Sequence, residues 1–195
     1  MIRLSLIFVF GLFLCGAVYA DSWPAAKLQA RASSNGEFVV RVTPGGSMGD
    51  VYGYGGMPKG AFAKAEWYRF NGKSYEKVRE ANLLNPIAPV DIEVTNAGIL
   101  VAIDNWHNLG IGNVLVFYSP SGEIIKKYTL LDLYSNTDLE KIEHTTSSIH
   151  WRCSGLSTFL ASDKELGIAD SLGGSFVFNP STGSYDYRPN TGSCK

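Results

Sequence analysis

The sequence lacks an excess of charge of either sign. Its 17 Lys and Arg residues nearly balance 18 Asp and Glu residues, which leaves a formal net charge of -1 over 195 residues. A protein that binds nucleic acid through its phosphates needs a surplus of basic side chains to replace the counterions. The composition therefore argues against nucleic acid as a partner. It also argues against disorder, because 45% of the residues are hydrophobic and 12% are aromatic.

Motifs of common cofactor sites and enzymes are missing as well. The glycine-rich segment 45–60 contains no GxxxxGK[ST], and Pro58 occupies the third glycine position of a GxGxxG pattern. No GxSxG surrounds Ser147 or Ser148, and no CxxC or similar spacing predicts zinc. We therefore expect neither a cofactor nor a metal site. The glycine-rich segment is predicted to be a surface loop, in which Tyr52 and Tyr54 are candidate ligand contacts.

The first twenty residues have the pattern of a signal peptide. Arg3 is the one cation before a long apolar run, and the small side chains of Val18 and Ala20 suit cleavage before Asp21. The alternative is an uncleaved membrane anchor, although about 17 apolar residues are at the short limit for a span. The pattern predicts a periplasmic or secreted protein with no membrane span after removal of residues 1–20.

Removal of the signal peptide leaves two of the three cysteines, Cys153 and Cys194. Lipidation of Cys15 is the less favoured possibility, because Leu14 precedes it where lipoproteins carry a small residue. Two cysteines in an exported chain are expected to form one disulfide, which here would tie down the C-terminal tail. The alternative is a pair of free thiols.

The apolar pattern beyond residue 20 is that of strands. Phe38, Val40 and Val42 alternate with more polar positions, as in a strand with one buried face. Three further runs are apolar on both faces, at residues 99–103, 114–118 and 176–178. The sequence predicts a single all-β domain over residues 21–195 with one short helix. That helix is predicted from a capping box at Thr137 and Glu140 and would reach about residue 144, and residues 130–134 could add one turn.

A weak internal repeat groups these strands into three units. Each unit combines a strand that follows a polar turn with a two-stranded hairpin. The strand elements are residues 33–42, 95–104 and a degraded copy at 162–170, and the hairpin elements are residues 67–75, 116–124 and 176–185. Three units cannot close a propeller, which typically takes four to eight blades. The repeat therefore predicts blade-like antiparallel units in a partial propeller, a β-sandwich or part of an oligomeric ring, unless the echoes are chance.

The most distinctive local string is residues 104–112, which connects two apolar strands. Its candidate binding residues are Asp104, Asn105, Trp106 and His107. They could bind a sugar or a cation, but the string is incomplete as a calcium loop because Trp106 occupies the third ligand position. The structural alternative is that Asp104 and Asn108 bind backbone N–H groups while Trp106 covers the edge of the core.

This string also carries a family resemblance. Residues 83–91, 104–112, 114–123 and 128–133 resemble a group of uncharacterised secreted bacterial proteins. Those proteins have strand-turn-strand units like the β-propeller blades of the WD40/YVTN type. The similarity covers the middle third to half of the chain, and it implies fold and location rather than catalytic residues.

These observations favour an exported, non-catalytic β-domain that binds or supports a partner in the cell envelope, either a protein or a glycan. One alternative is a carbohydrate-active hydrolase that uses Asp104 and His107, or the carboxylate pair Asp91 and Glu93. Another is a lectin-like module in which aromatic rings stack on sugars. The candidate rings for stacking are those of Trp106, Tyr52 and Tyr54.

Overall fold

A computed structural model describes residues 23–48, 52–53, 60–160, 163–192 and 194. The predicted signal peptide lies outside the described residues. The described chain is built mainly of antiparallel strands, with two helices of one turn each. This confirms the all-β prediction. No helix in this part of the chain is long and apolar enough to cross a membrane.

The first sheet contains four strands in the order β1-β2-β5-β6. They are β1 (Gln29–Ala32), β2 (Phe38–Thr43), β5 (Lys64–Phe70) and β6 (Tyr75–Asn82). Between β2 and β5, the glycine-rich segment includes a short ribbon of β3 (Ser47–Met48) and β4 (Tyr52–Gly53). The alternation predicted for β2 is confirmed, because Phe38, Val40 and Val42 are all buried.

The second and third sheets are meanders whose strands pair in chain order. The second sheet contains β7 (Pro89–Val94), β8 (Leu100–Asn105), β9 (Leu115–Tyr118) and β10 (Ile124–Tyr128). The third contains β11 (Arg152–Leu160), β12 (Glu165–Asp170), β13 (Ser175–Phe178) and β14 (Tyr185–Arg188).

The second sheet lies between the other two, which explains why its central strands, β8 and β9, are apolar on both faces. Leu100 and Ala102 of β8 pack into a core shared with the first sheet. Val101 and Ile103, on the opposite face of the same strand, pack into a core shared with the third sheet. Both cores contain a fully buried tryptophan, Trp67 in the first and Trp151 in the second.

The three predicted repeat units fall at matching positions in the three sheets. Each strand element contains the turn into the second strand of its sheet, and each hairpin element joins the third strand to the fourth. Successive sheets also repeat the same contact between turns. The Asn35 N–H donates to the Asn96 side-chain oxygen, and the Asn96 N–H donates to the Asp163 carboxylate.

The hairpin glycines show a second repeated contact. Gly122 lies against Ala81 of the first sheet, and Gly183 lies against Lys126 of the second, whereas a Cβ at Gly72 would meet no atom within 4 Å. All three glycines have left-handed φ angles. The hairpin of each later sheet therefore contacts the sheet before it, and this contact is similar between the first and second sheets and between the second and third. The choice between partial propeller and sandwich stays a prediction.

The helix prediction was partly wrong. The turn expected at residues 130–134 is present as α1 (Leu130–Leu133), whereas the predicted helix is α2 (Asn136–Leu139), which does not extend to residue 144. The reason is the cap: the Ser135 hydroxyl, not that of Thr137, accepts the Asp138 N–H at 3.2 Å. The helix therefore begins one residue before Thr137 and ends after a single turn.

The outward face of the first sheet is charged. Glu66 is only 5% exposed, and its carboxylate accepts hydrogen bonds from Arg41 and, at 3.4 Å, from Lys77. These residues alternate along their strands with those that pack on the second sheet. The stack therefore ends at this face in a layer of ion pairs.

Candidate functional site

The loop after β8 is held in an unusual backbone conformation. Asp104 and His107 have φ angles of 59° and 70°, and Gly110 and Gly112 also have positive φ. Residues other than glycine adopt this region at some cost, of order 1–3 kcal/mol each in sparsely populated conformations, so surrounding contacts must hold it. Gly110 is required by close packing as well, because a Cβ there would lie 2.5 Å from the Ile149 carbonyl oxygen.

Asp104 anchors the loop from inside the protein. It is fully buried, and its Oδ1 accepts the indole N–H of Trp151 at 2.7 Å and the Gly110 N–H at 3.1 Å. Its Oδ2 accepts the Nε–H of Arg152 at 2.5 Å. Arg152, with its side chain only 4% exposed, also pairs with Asp91 at 2.7 Å. The carboxylate therefore joins the loop to the first residues of the third sheet.

The charges of this cluster are strongly coupled. Burial raises the pKa of Asp104, while the charge of Arg152 and the three accepted hydrogen bonds act in the opposite direction. Burial lowers the pKa of Arg152, but the charges of Asp104 and Asp91 outweigh it and raise that pKa above its usual value. Because guanidinium does not deprotonate in proteins, Arg152 supplies the charge that compensates the buried carboxylate.

Asn105 and Asn85 hold the start of the loop with their amides. The Asn105 Nδ2 donates to the carbonyl oxygens of Ile111 at 2.7 Å and Asn113 at 3.1 Å. The Asn85 Nδ2 donates to the Asp104 carbonyl oxygen at 3.0 Å and to the Asn105 Oδ1 at 2.9 Å. Asn105 is thus predominantly a structural residue, whose amide closes the loop on itself.

Trp106 and His107 lie at the outer side of the loop against the N-terminal segment. The Trp106 indole N–H donates to the Pro24 carbonyl oxygen at 2.9 Å, and its ring meets Trp23 edge to face with centroids 5.3 Å apart. The His107 ring lies 5.7 Å from the same Trp23 ring. Burial lowers the pKa of His107, so the imidazole is neutral near pH 7.

A cavity of about 340 Å³ opens beside this loop. One wall is formed by the loop residues Asn105, Trp106, Asn108 and 111–113. The other wall is formed by the residues that precede β5 and β7. We call this cavity the loop pocket; its lining residues are Phe62, Leu84, Pro86, Ile87, Asn105, Trp106, Asn108, Ile111, Gly112 and Asn113. None of these described residues carries a charge.

Two amides of the loop pocket are available to a ligand. The side chains of Asn108 and Asn113 are partly exposed and make no hydrogen bond with the described residues. An amide both donates and accepts, as does a hydroxyl group. Among the described residues, the Asn108 side chain therefore binds no backbone N–H, whereas Asp104 does accept one, from Gly110.

The carboxylates Asp91 and Glu93 do not line this pocket. Tyr52 belongs to β4, and Tyr54 lies outside the described residues. Asp91 and Glu93 share one face of β7 as predicted, but they form ion pairs with different neighbours, Arg152 of the third sheet and Arg31 of the first. The two carboxylates therefore form ion pairs that link the second sheet to the third and to the first.

The predicted disulfide between Cys153 and Cys194 is present, with Cα atoms 5.1 Å apart. Cys153 directly follows Arg152, so the covalent link fixes the tail next to the buried ion pair. The disulfide therefore supports the segment that contains Arg152, whose positive charge compensates the buried Asp104 carboxylate.

Three contributors to the site were missed in the sequence. Trp151 and Arg152 lie 47 and 48 residues after Asp104 and carry no local signal for pairing with it. Phe62 follows the glycine-rich segment and becomes part of the pocket only through folding. A usable signal was present at Arg152, which is a charged residue between a tryptophan and the disulfide cysteine.

Comparisons of the chain with family models, with curated proteins and with solved structures found no match.

Proposed function

We propose that this protein is an exported, non-catalytic binding module of the cell envelope, and that the loop pocket binds a saccharide. The observation that carries the proposal is the chemistry of the pocket. Its walls combine an indole and other apolar side chains with two amides that lack partners among the described residues, and they bear no charge. Sugars present an apolar face and neutral hydroxyl groups, which this lining complements.

A catalytic role for Asp104 finds less support. An acid or base must reach the substrate within hydrogen-bond distance. Asp104 is fully buried, both of its oxygens accept hydrogen bonds from Arg152, Trp151 or Gly110, and it does not line the loop pocket. These contacts favour binding over the hydrolase alternative. If Asp104→Asn or His107→Ala abolished turnover of a glycan by the wild-type protein, the non-catalytic assignment would be refuted.

The saccharide proposal is tested with the mature chain on an array of bacterial cell-wall fragments and surface glycans. A positive glycan is then titrated by calorimetry against Trp106→Ala and Ile111→Asp. Each variant should weaken binding at least about tenfold, because aromatic and central apolar contacts dominate such sites. Ile124→Asp is the matched control, since Ile124 and Ile111 are similarly exposed, at 47% and 43%, and only Ile111 lines the pocket.

Two results would reject the saccharide proposal. One is an array on which the wild-type chain binds no glycan. The other is a glycan whose affinity is equally unchanged by Trp106→Ala, Ile111→Asp and Ile124→Asp, because that ligand would be bound elsewhere.

Export to the periplasm or the exterior is supported by the disulfide, which persists in oxidising compartments, and by the sequence pattern of residues 1–20. N-terminal sequencing of protein recovered from the extracytoplasmic fraction should begin at Asp21. Recovery in the cytoplasm with two alkylatable thiols would contradict export.

A further inference from the structure

A second cavity, of about 460 Å³, lies between the third sheet and the helical segment. Its main lining residues are Tyr134, Phe176, Tyr185, Tyr187, Asp138 and Lys141. We call it the tyrosine pocket. It shares no lining residue with the loop pocket.

The rings of this pocket are arranged around Phe176. Their centroids lie 5.2 Å from it for Tyr134, 5.5 Å for Tyr185 and 5.0 Å for Tyr187. Two of the hydroxyls are tied to backbone, because Tyr134 donates to the Trp151 carbonyl oxygen at 3.1 Å and Tyr185 donates to that of Asp132 at 3.2 Å. The aromatic walls are therefore positioned before any ligand arrives.

A buried carboxylate lies next to these rings. Asp170 is fully buried, and its Oδ1 accepts the N–H groups of Leu172 at 3.0 Å and Gly174 at 2.7 Å. The hydroxyls of Tyr134 and Tyr187 lie within hydrogen-bonding reach of this carboxylate. Burial and the neighbouring Asp170 raise the pKa of Tyr187 to about 12, and both also raise the pKa of Tyr134.

The local charge is negative. Asp138 adds a second carboxylate at the rim, and Lys141 pairs with it at 2.8 Å. Lys141 therefore compensates Asp138, and Asp170, which does not line the pocket, is the remaining carboxylate beside the rings. Electron-rich ring faces beside a buried carboxylate attract a cation and are poorly suited to an anion.

We infer that the tyrosine pocket binds an organic cation with an alkylated ammonium head group, such as a choline-type substituent. Such a group is large, weakly hydrated and complementary to several aromatic faces at once. A small, strongly hydrated metal ion would instead need several oxygen ligands. The inference is independent of the saccharide proposal, because the two pockets use different residues.

The test is calorimetric titration of the mature chain with choline, using the neutral isostere 3,3-dimethyl-1-butanol as the matched ligand. Choline should bind at least about tenfold more tightly than the alcohol, because the two ligands differ only in charge. Tyr187→Leu should weaken choline binding about tenfold, whereas Tyr187→Phe, which keeps the ring, should stay within about threefold of wild type. Tyr75→Leu is the control, since Tyr75 is 45% exposed and Tyr187 is 43% exposed.

Asp138→Asn provides a second variant at an exposed position, so the test does not depend on the folding of Tyr187→Leu. It should weaken choline binding several-fold and leave binding of the alcohol unchanged. Absence of choline binding, equal binding of the alcohol, or an unchanged affinity in both Tyr187→Leu and Asp138→Asn would overturn the inference. Trp106→Ala should leave choline binding intact, which keeps a failure here distinct from a failure of the saccharide proposal.

Discussion

Replacing Arg152 with methionine tests whether the buried ion pair holds the loop that forms the candidate site. Methionine keeps an unbranched chain of similar length but removes the guanidinium, leaving the Asp104 Oδ2 without its 2.5 Å partner. Removing one partner of a buried pair costs about 3–5 kcal/mol, because the remaining charge is uncompensated. Asp104 is fully buried and cannot recover solvent, so we expect the upper half of that range.

Asp104→Asn should cost less. The asparagine oxygen can still accept the N–H groups of Trp151 and Gly110, and Arg152 keeps its ion pair with Asp91 at 2.7 Å. We expect a loss of about 1.5–3 kcal/mol for the missing charged hydrogen bond.

In the double variant Asp104→Asn/Arg152→Met, no uncompensated charge remains at this position. Its loss should therefore fall short of the sum of the two single losses by about 2 kcal/mol, within the range found for residues in direct contact.

The deficit of Arg152→Met should also depend on pH. Without the guanidinium, burial keeps the pKa of Asp104 above its value in the unfolded chain, where it is about 3.9. A group with a raised pKa supports the folded state fully below the unfolded pKa and loses that support as pH rises through the folded pKa. The deficit should therefore be smaller at pH 4 than at pH 7.

The assay is urea unfolding of the disulfide-intact mature chain, followed by tryptophan fluorescence. Arg69→Met serves as the control, because its ion pair with Glu37 is exposed and should contribute no more than about 1 kcal/mol. The reasoning is refuted if Arg152→Met costs as little as Arg69→Met. It is equally refuted if the losses in the double variant are additive.

Three further predictions concern stability. Gly72→Ala should cost about 1–2 kcal/mol of unfolding free energy, because its φ is left-handed. Gly183→Ala should cost about 1–3 kcal/mol more, because its Cβ would lie 2.3 Å from a side chain of the preceding sheet. Equal losses in urea unfolding would contradict the repeated contact. Replacing both Cys153 and Cys194 with serine should cost about 4 kcal/mol on the chain-entropy model, and an unchanged urea midpoint would contradict this. Hydrogen bonding to its cationic partners lowers the pKa of Glu66 in the folded protein. The stabilisation of the fold by ionised Glu66 is therefore present above its pKa in the unfolded chain and is lost as pH falls through its pKa in the folded chain. The Tm gap between wild type and Glu66→Gln should therefore narrow from pH 7 to pH 3, and a constant gap would count against it.

The strands could be predicted from the sequence because the burial of each strand determines a local pattern of hydrophobic residues. Phe38, Val40 and Val42 alternate because the first sheet buries one face, and the residue runs 99–103 and 114–118 are continuous because the second sheet buries both faces. The helix was misplaced for a local reason as well. The Ser135 hydroxyl, two residues before the predicted cap Thr137, accepts the Asp138 N–H and sets the start of the helix.

The site was predicted only in part, because its chemistry depends on distant pairs. The sequence identified the loop and Trp106, but it could not indicate that Asp104 would be neutralised by Arg152, 48 residues away. Asn105 and Asn108 both line the pocket and look alike in sequence, but the Asn105 amide is bound to backbone carbonyls and the Asn108 amide is not. Only the fold distinguishes them.

The charged outward face of the first sheet has a consequence for self-association. The first and second sheets, and the second and third, are related by similar contacts. When such a repeated contact also forms between molecules, it produces a filament. Growth of that kind needs an accepting surface on every copy, and here it would have to strip water from Arg41, Glu66 and Lys77. Because such desolvation costs several kcal/mol per ion, we expect this layer to oppose association of a second copy at this face.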